Sequence, residues 1–164
     1  KNFQNENIQF VIQEKPLGVA HALLQAEVKI EKNSNIFYIL GDNFFEQNPL
    51  TDFTYTTLTP TAFLKEVNNP EEFGVVELEN QTIVSLEEKP KNPKSNLIAV
   101  GLYFFDSNCF DYIKSLNQSD RGEYEITSLL NKYVKNNNLS YQMIDGWWID
   151  AGTPEAIELY ESLV

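Results

Sequence analysis

Two carboxylates stand where strand-like segments end. Asp42 lies in Leu40-Gly41-Asp42-Asn43, where an apolar run stops, a glycine lets the backbone turn and an acid and an amide follow. Asp150 repeats the arrangement in Trp147-Trp148-Ile149-Asp150, ahead of Ala151-Gly152-Thr153-Pro154. In open α/β sheets, ligands bind beyond the carboxyl ends of the strands. Carboxylates placed there suit a hard cation such as Mg²⁺, and two of them suit a shared one. The plainer readings are a turn aspartate bonding its own backbone and an acid favoured by a helix dipole. Lys89 in Glu87-Glu88-Lys89-Pro90 and Arg121 in Asp120-Arg121-Gly122-Glu123 are cations in a chain short of them. Either could meet a phosphate, or simply be solvated or paired with neighbouring acids. Gln13 has a donor and an acceptor that fit a nucleobase edge, and Gly18, five residues on, permits close backbone approach at a helix start. Tyr103 could stack on or hydrogen-bond a sugar, although Tyr103-Phe104-Phe105 also reads as core.

Composition limits the alternatives. The 164 residues fit one domain. Forty-two per cent hydrophobic and 13% aromatic residues argue for a packed core rather than disorder. One Cys excludes a disulfide framework or thiolate zinc cluster, and one His excludes an all-histidine metal site. Cys109 reads as packed rather than reactive, and His21 as a helix-surface residue. Twelve basic against 24 acidic residues give a net charge of −12, which disfavours nucleic acid and anionic membranes as partners. No apolar run approaches the roughly 18 residues of a membrane helix, so a cytoplasmic location is expected. Ser-His-Asp order, GxxxxGK[ST] and HExxH are absent from the sequence.

These groups need elements to position them. Ile8–Ile12 reads as a strand and Val19–Ile30 as a helix. Ile36–Leu40, apolar throughout, reads as a strand covered on both faces. Ala62–Val67 is a strand, Gly74–Leu78 and Thr82–Leu86 a hairpin across Glu79–Gln81, and Leu97–Phe105 a long strand kinked at Gly101. Asn108–Leu116 and Tyr124–Asn136 read as helices, Leu139–Ile144 and Trp147–Ile149 as short strands. Thr153 would cap a last helix begun by Pro154. The stretch Asn48–Thr59 gives no clear pattern. The sum is an α/β domain on a mixed sheet with a β excursion.

Seven segments, in order, resemble the sugar-1-phosphate nucleotidylyltransferases: Gln13-x-x-Pro16-x-Gly18-x-Ala20, Leu40-Gly41-Asp42-Asn43, Phe73-Gly74-Val75-Val76-Glu77, Glu87-Glu88-Lys89-Pro90, Gly101-Leu102-Tyr103, Arg121-Gly122-Glu123-x-Glu125-Ile126-Thr127 and Trp148-x-Asp150-x-Gly152-Thr153. The resemblance runs from near residue 8 to the C-terminus and is strongest to the branch joining thymidylyl groups to glucose 1-phosphate. It implies a Rossmann-like nucleotide-diphospho-sugar transferase fold with a mixed, mostly parallel sheet flanked by helices. It implies that Gln13 and the Gly18 backbone read the base, and that Asp42 and Asp150 hold Mg²⁺. It further implies that Asn43, the Gly74 backbone and Glu88 grip the sugar near Tyr103, and that Lys89 and Arg121 bind its phosphate. The implied partners are a nucleoside triphosphate and a sugar 1-phosphate, in a homo-oligomer.

The sequence also departs from that family. The family's opening strand and Gly-x-Gly-x-Arg loop have no counterpart, and the only methionine is Met143. The expectation is therefore one domain over residues 1–164, incomplete at its N-terminus and weak or inactive alone. Ser128 stands where the family has Asp, Ala151 where Thr is common and Val100 where Thr is common. A UTP-specific transferase, or a non-catalytic sugar-nucleotide-binding or regulatory protein on the same fold, are the competing expectations.

Overall fold

A computed structural model describes residues 8–51, 53 and 59–163. The longest strand, β6 in the numbering below, organises it. Leu97–Phe105 has no polar side chain other than the Tyr103 hydroxyl, and all nine residues are buried. Because side chains alternate along a strand, such a run needs cover on both faces. Leu97, Ala99, Tyr103 and Phe105 enter one core cluster, while Ile98, Val100, Leu102 and Phe104 enter the other.

The elements are α1 (Val19–Gln25), β1 (Ile36–Ile39), β2 (Asn43–Phe45), β3 (Thr61–Glu66), β4 (Gly74–Glu79), β5 (Thr82–Glu88), β6 (Leu97–Phe105), α2 (Asn108–Lys114), α3 (Ile126–Lys135), β7 (Ser140–Met143), β8 (Trp148–Asp150) and α4 (Pro154–Leu163). A 3-10 turn, Ala26–Lys29, extends α1 almost to the expected end. The main sheet runs β5-β4-β6-β3-β7, with β1 also paired to β6. Helix α3 covers one face with Ile126, Leu129, Leu130 and Tyr133, spaced for one helical side. The last helix begins at Pro154, and Thr153 Oγ1 accepts the Ala156 N–H at 3.2 Å, as a capping residue should.

The fold is α/β on a mixed sheet, as the sequence indicates, but the described ladders are not mostly parallel. β3 and β7 are parallel; the β1/β6, β3/β6, β4/β5 and β4/β6 ladders are antiparallel. The physical reason lies in the connections. β4 and β5 are joined by a two-residue turn, Asn80-Gln81, both at positive φ, which can only link antiparallel strands.

Three further expectations change. Ile8–Ile12 is not a strand: it has no ladder partner among the described residues, and Phe10 and Ile12 are exposed. Apolar alternation alone does not make a strand without an edge to pair with. β1 is not covered on both faces; only Ile36 is buried, and Ile39 is 56% exposed. β2, missed in the sequence, forms a separate two-stranded antiparallel sheet with β8, pairing Asn43 with Asp150. The expected irregularity at Gly101 is present as a register shift: β3 advances from Ala62 to Leu64 while β6 passes from Tyr103 to Ala99. Among the described residues no helix is long and apolar enough to cross a membrane.

The shift at Gly101 gives a prediction. A methyl group there would lie 2.5 Å from Asn43 Nδ2, and 2.8 Å from Asn43 Oδ1. Gly101→Ala should destabilise the fold by about 1–3 kcal/mol through overpacking, seen as a lower urea midpoint. An unchanged midpoint would show that Asn43 yields freely.

Candidate functional site

The carboxyl ends of β1, β5 and β8 converge on a cavity of about 230 Å³. Eight of the ten expected site residues line it: Asp42, Asn43, Gly74, Glu88, Lys89, Tyr103, Arg121 and Asp150. A wider opening of about 650 Å³ continues from it past Lys89, Trp148 and Asp150 to the start of α4.

The two aspartates are locked through backbone. Asp150 ends β8 opposite Asn43, and the Ala151 N–H donates to the Asp42 carbonyl oxygen at 2.8 Å. Asp150 Oδ1 accepts the Gly152 N–H at 3.0 Å. Burial, and then the charge of Asp42, push the Asp150 carboxyl above its ordinary value, against the pull of the Gly152 N–H and Lys89. Two carboxylates that repel each other beside one cavity fit a divalent cation. Mg²⁺ in particular needs only one or two protein carboxylates when phosphates and water complete its shell. Among the described residues no cluster of three metal-ligating side chains occurs, so these two carboxylates are the candidate donors for such an ion.

Asn43 is more committed than the sequence implied. Its Oδ1 accepts the Gly101 N–H at 2.9 Å and the Trp148 indole N–H at 2.8 Å. Its Nδ2 donates to Asp42 Oδ1 at 2.8 Å. One amide thus joins the small sheet to β6 and orients Asp42, leaving one hydrogen for anything else.

Glu88 and Lys89 end β5, with Glu88 opposite Gly74 across the hairpin. Burial, then the neighbouring Glu125, raise the Glu88 carboxyl above the usual range, and Thr127, Arg121 and Lys89 counter this. Thr127 Oγ1 donates to Glu88 Oε2 at 3.2 Å. Lys89 is held in the left-handed region at φ 44°, a conformation ordinary L-residues avoid and one that clusters at functional sites. Its N–H donates to the Phe73 carbonyl oxygen at 2.9 Å, while its ammonium forms no ion pair among the described residues. Arg121 differs: it meets Glu88, Glu123 and Glu125 at 3.4–3.8 Å. Of the two cations expected to be isolated, only Lys89 is.

Tyr103 is buried in the core between Tyr38 and Phe105, yet it borders the cavity near Glu88, and burial raises its phenol pKa. The core reading holds, and the hydroxyl-bearing ring also borders the cavity. Gln13 and Gly18 do not line the cavity, although Val19, next to Gly18, does. The Leu17 carbonyl oxygen accepts the Tyr124 N–H at 2.8 Å, and the Tyr124 carbonyl oxygen accepts the Ala20 N–H at 3.2 Å. These bonds tie the Gln13 loop to the Arg121 loop. Sequence reasoning missed Trp148, Thr127 and Glu125 as site residues, although all three lie inside the motifs that carried the resemblance.

Comparison with known proteins fits this geometry. Residues 1–162 match the nucleotidyl transferase family model, and the chain belongs to that family. It is 39% identical over 165 residues to the glucose-1-phosphate thymidylyltransferase of Neisseria meningitidis, covering 96% of this chain and 57% of that protein. It is 38% identical over 151 residues to the bifunctional protein GlmU of Methanococcus aeolicus, covering 92% of this chain and 36% of that protein. The chain therefore spans only part of the length of these relatives. A crystal structure from Bacillus anthracis, described as a glucose-1-phosphate thymidylyltransferase in complex with a sucrose, superposes with a TM-score of 0.82 at 40% identity, covering 92% of this chain and 62% of that one. A UDP-glucose pyrophosphorylase complexed with UDP-glucose shares the fold, with a TM-score of 0.78 at 23% identity.

The raised Asp150 carboxyl gives a second prediction. An acid whose pKa rises on folding opposes the folded state at neutral pH, and that opposition fades as pH falls through the raised value. In the absence of divalent cations, Asp150→Asn should raise the unfolding free energy at pH 7 by less than about 1 kcal/mol after solvent screening, read as a higher melting temperature. The gain should shrink through the carboxylate range. A gain that grew on acidification would reverse the assignment.

Proposed function

We propose that the protein of which this chain is part transfers a nucleotidyl group from a nucleoside triphosphate to a sugar 1-phosphate, with dTTP and glucose 1-phosphate as the substrates. The observation that carries this reading is the meeting of Asp42, Asp150 and the unpaired Lys89 ammonium at one cavity. The names of the Neisseria and Bacillus relatives support the choice of substrates.

In this reading an oxygen of the sugar phosphate attacks the α-phosphorus. A new P–O bond forms, the bond from the α-phosphorus to the bridging oxygen breaks, and pyrophosphate leaves. Little covalent work falls to the protein; positioning and charge neutralisation dominate. Lys89 offsets repulsion between the two anionic substrates. Arg121 adds to it by exchanging a carboxylate partner for phosphate. Glu88, Asn43, the Gly74 backbone and Tyr103 receive the sugar hydroxyls, and Gln13 with the Gly18 backbone meets the base. Asp42 and Asp150 would hold Mg²⁺, which when bound supplies positive charge to the reacting phosphates.

UTP in place of dTTP is the competing substrate choice, so the test compares triphosphates. The intact protein, incubated with glucose 1-phosphate, Mg²⁺ and dTTP or UTP, should release pyrophosphate, faster with dTTP. Asp42→Asn and Lys89→Met should each lower kcat/KM by at least about 100-fold. Release of no pyrophosphate with any triphosphate would remove the enzyme reading; full activity in Asp42→Asn would remove the assigned roles.

A further inference from the structure

Strand β5 ends the main sheet, so along its outer side the described residues supply no strand. One side chain stands in for a strand there. Asn131, on α3, accepts the Leu86 N–H on Oδ1 at 3.0 Å and donates from Nδ2 to the Leu86 carbonyl oxygen at 2.7 Å. A primary amide carries a donor and an acceptor side by side, as a peptide group does, so it can satisfy both backbone groups of one strand residue. Its partners fix its orientation. Turned over, it would set N–H against N–H and oxygen against oxygen.

The contact belongs to a matched pair. Thr127 stands four residues before Asn131, on the same side of α3 and about 6 Å away along its axis. Its hydroxyl donates to Glu88 Oε2 at 3.2 Å. Glu88 stands two residues after Leu86, about 6.6 Å along the strand and on the same face. The helix and strand spacings thus agree, and one placement of α3 along β5 makes both contacts. Gly74 permits the close approach: a methyl group there would lie 2.6 Å from Thr127 Cγ2. The Leu86 side chain shares a core cluster with Leu129 and Leu130, but apolar contact has no direction and sets no register.

Three residues beyond Leu86 lies Lys89, at φ 44°. A residue in that region stays there only where its surroundings over-determine it. The Lys89 N–H is held on the inner side by the Phe73 carbonyl oxygen at 2.9 Å. Asn131 supplies the hold on the outer side. It does not line the cavity, so it acts through the strand.

We infer that Asn131 is a positioning residue for the sugar-phosphate end of the cavity: its amide pins β5 at Leu86 and so fixes Glu88 and Lys89. This rests on the reading of Glu88 and Lys89 as the groups that receive the sugar 1-phosphate.

Two variants test it. Asn131→Leu keeps the volume and removes both bonds. Asn131→Asp keeps the volume and one acceptor, and sets its second oxygen against the Leu86 carbonyl. Each is compared with wild type in the intact protein, by hydrogen exchange resolved to single amides and by turnover of glucose 1-phosphate with dTTP and Mg²⁺. The Glu87 and Lys89 amides should exchange at least about tenfold faster in both variants, with the amides of β6 within about twofold. KM for the sugar 1-phosphate should rise about tenfold, with KM for the triphosphate within about twofold. A purely structural role would speed exchange in β6 as well and would not separate the two KM values. Should Asn131→Leu fail to fold, Asn131→Asp decides. Unchanged exchange at Glu87 and Lys89, an equal rise in β6, or equal shifts of both KM values overturns the inference and leaves the enzyme reading intact. A wild type that turns over no triphosphate removes that reading and the inference with it.

Discussion

The side chain of Asn43 is the joint on which the site depends. Its oxygen takes an N–H from β6 and another from the indole of β8, and its nitrogen steers the carboxylate of Asp42. Without that amide the small β2/β8 sheet would be tied to the main sheet chiefly by apolar contact, which has no direction. Two further bonds sharpen the joint: Lys65 Nζ donates to the carbonyl oxygens of Ile144 and Gly146, holding the loop that leads into β8. The separation of the two aspartates is thus set by hydrogen bonds, which tolerate little displacement, rather than by packing, which adapts.

Charge is handled locally. The net charge of −12 would seem hostile to phosphorylated substrates, but exposed charges are screened within about 8–10 Å at ordinary ionic strength. Within that distance the arrangement is specific. Glu88 and Asp150 are partly desolvated and reluctant to ionise. Lys89 has no ion-pair partner among the described residues, and Arg121 is shared among three glutamates.

Much of this was legible before any coordinates. Leu97–Phe105 was readable as a long strand and Tyr124–Asn136 as a helix, and eight of the residues singled out in the motifs line one cavity. What failed did so for physical reasons. Ile8–Ile12 and Ile36–Ile39 are equally apolar, but whether a strand pairs, and on which face it is covered, depends on neighbours distant in sequence. β2 is three residues long and exists because β8 lies beside it. Of the glutamates around Arg121, Glu123 and Glu125 sit within its own motif, whereas Glu88 arrives from the end of β5.

Lys89 sits at φ 44° between Glu88 and Pro90, where a residue without a side chain would rest more comfortably. The fold and the chemistry therefore want different residues at this point. Selection for stability alone would drift toward glycine, and selection for a cation at the cavity would restore lysine. Under the proposed transfer, a glycine after Glu88 in a relative would signal a binding domain that kept its shape and lost its turnover.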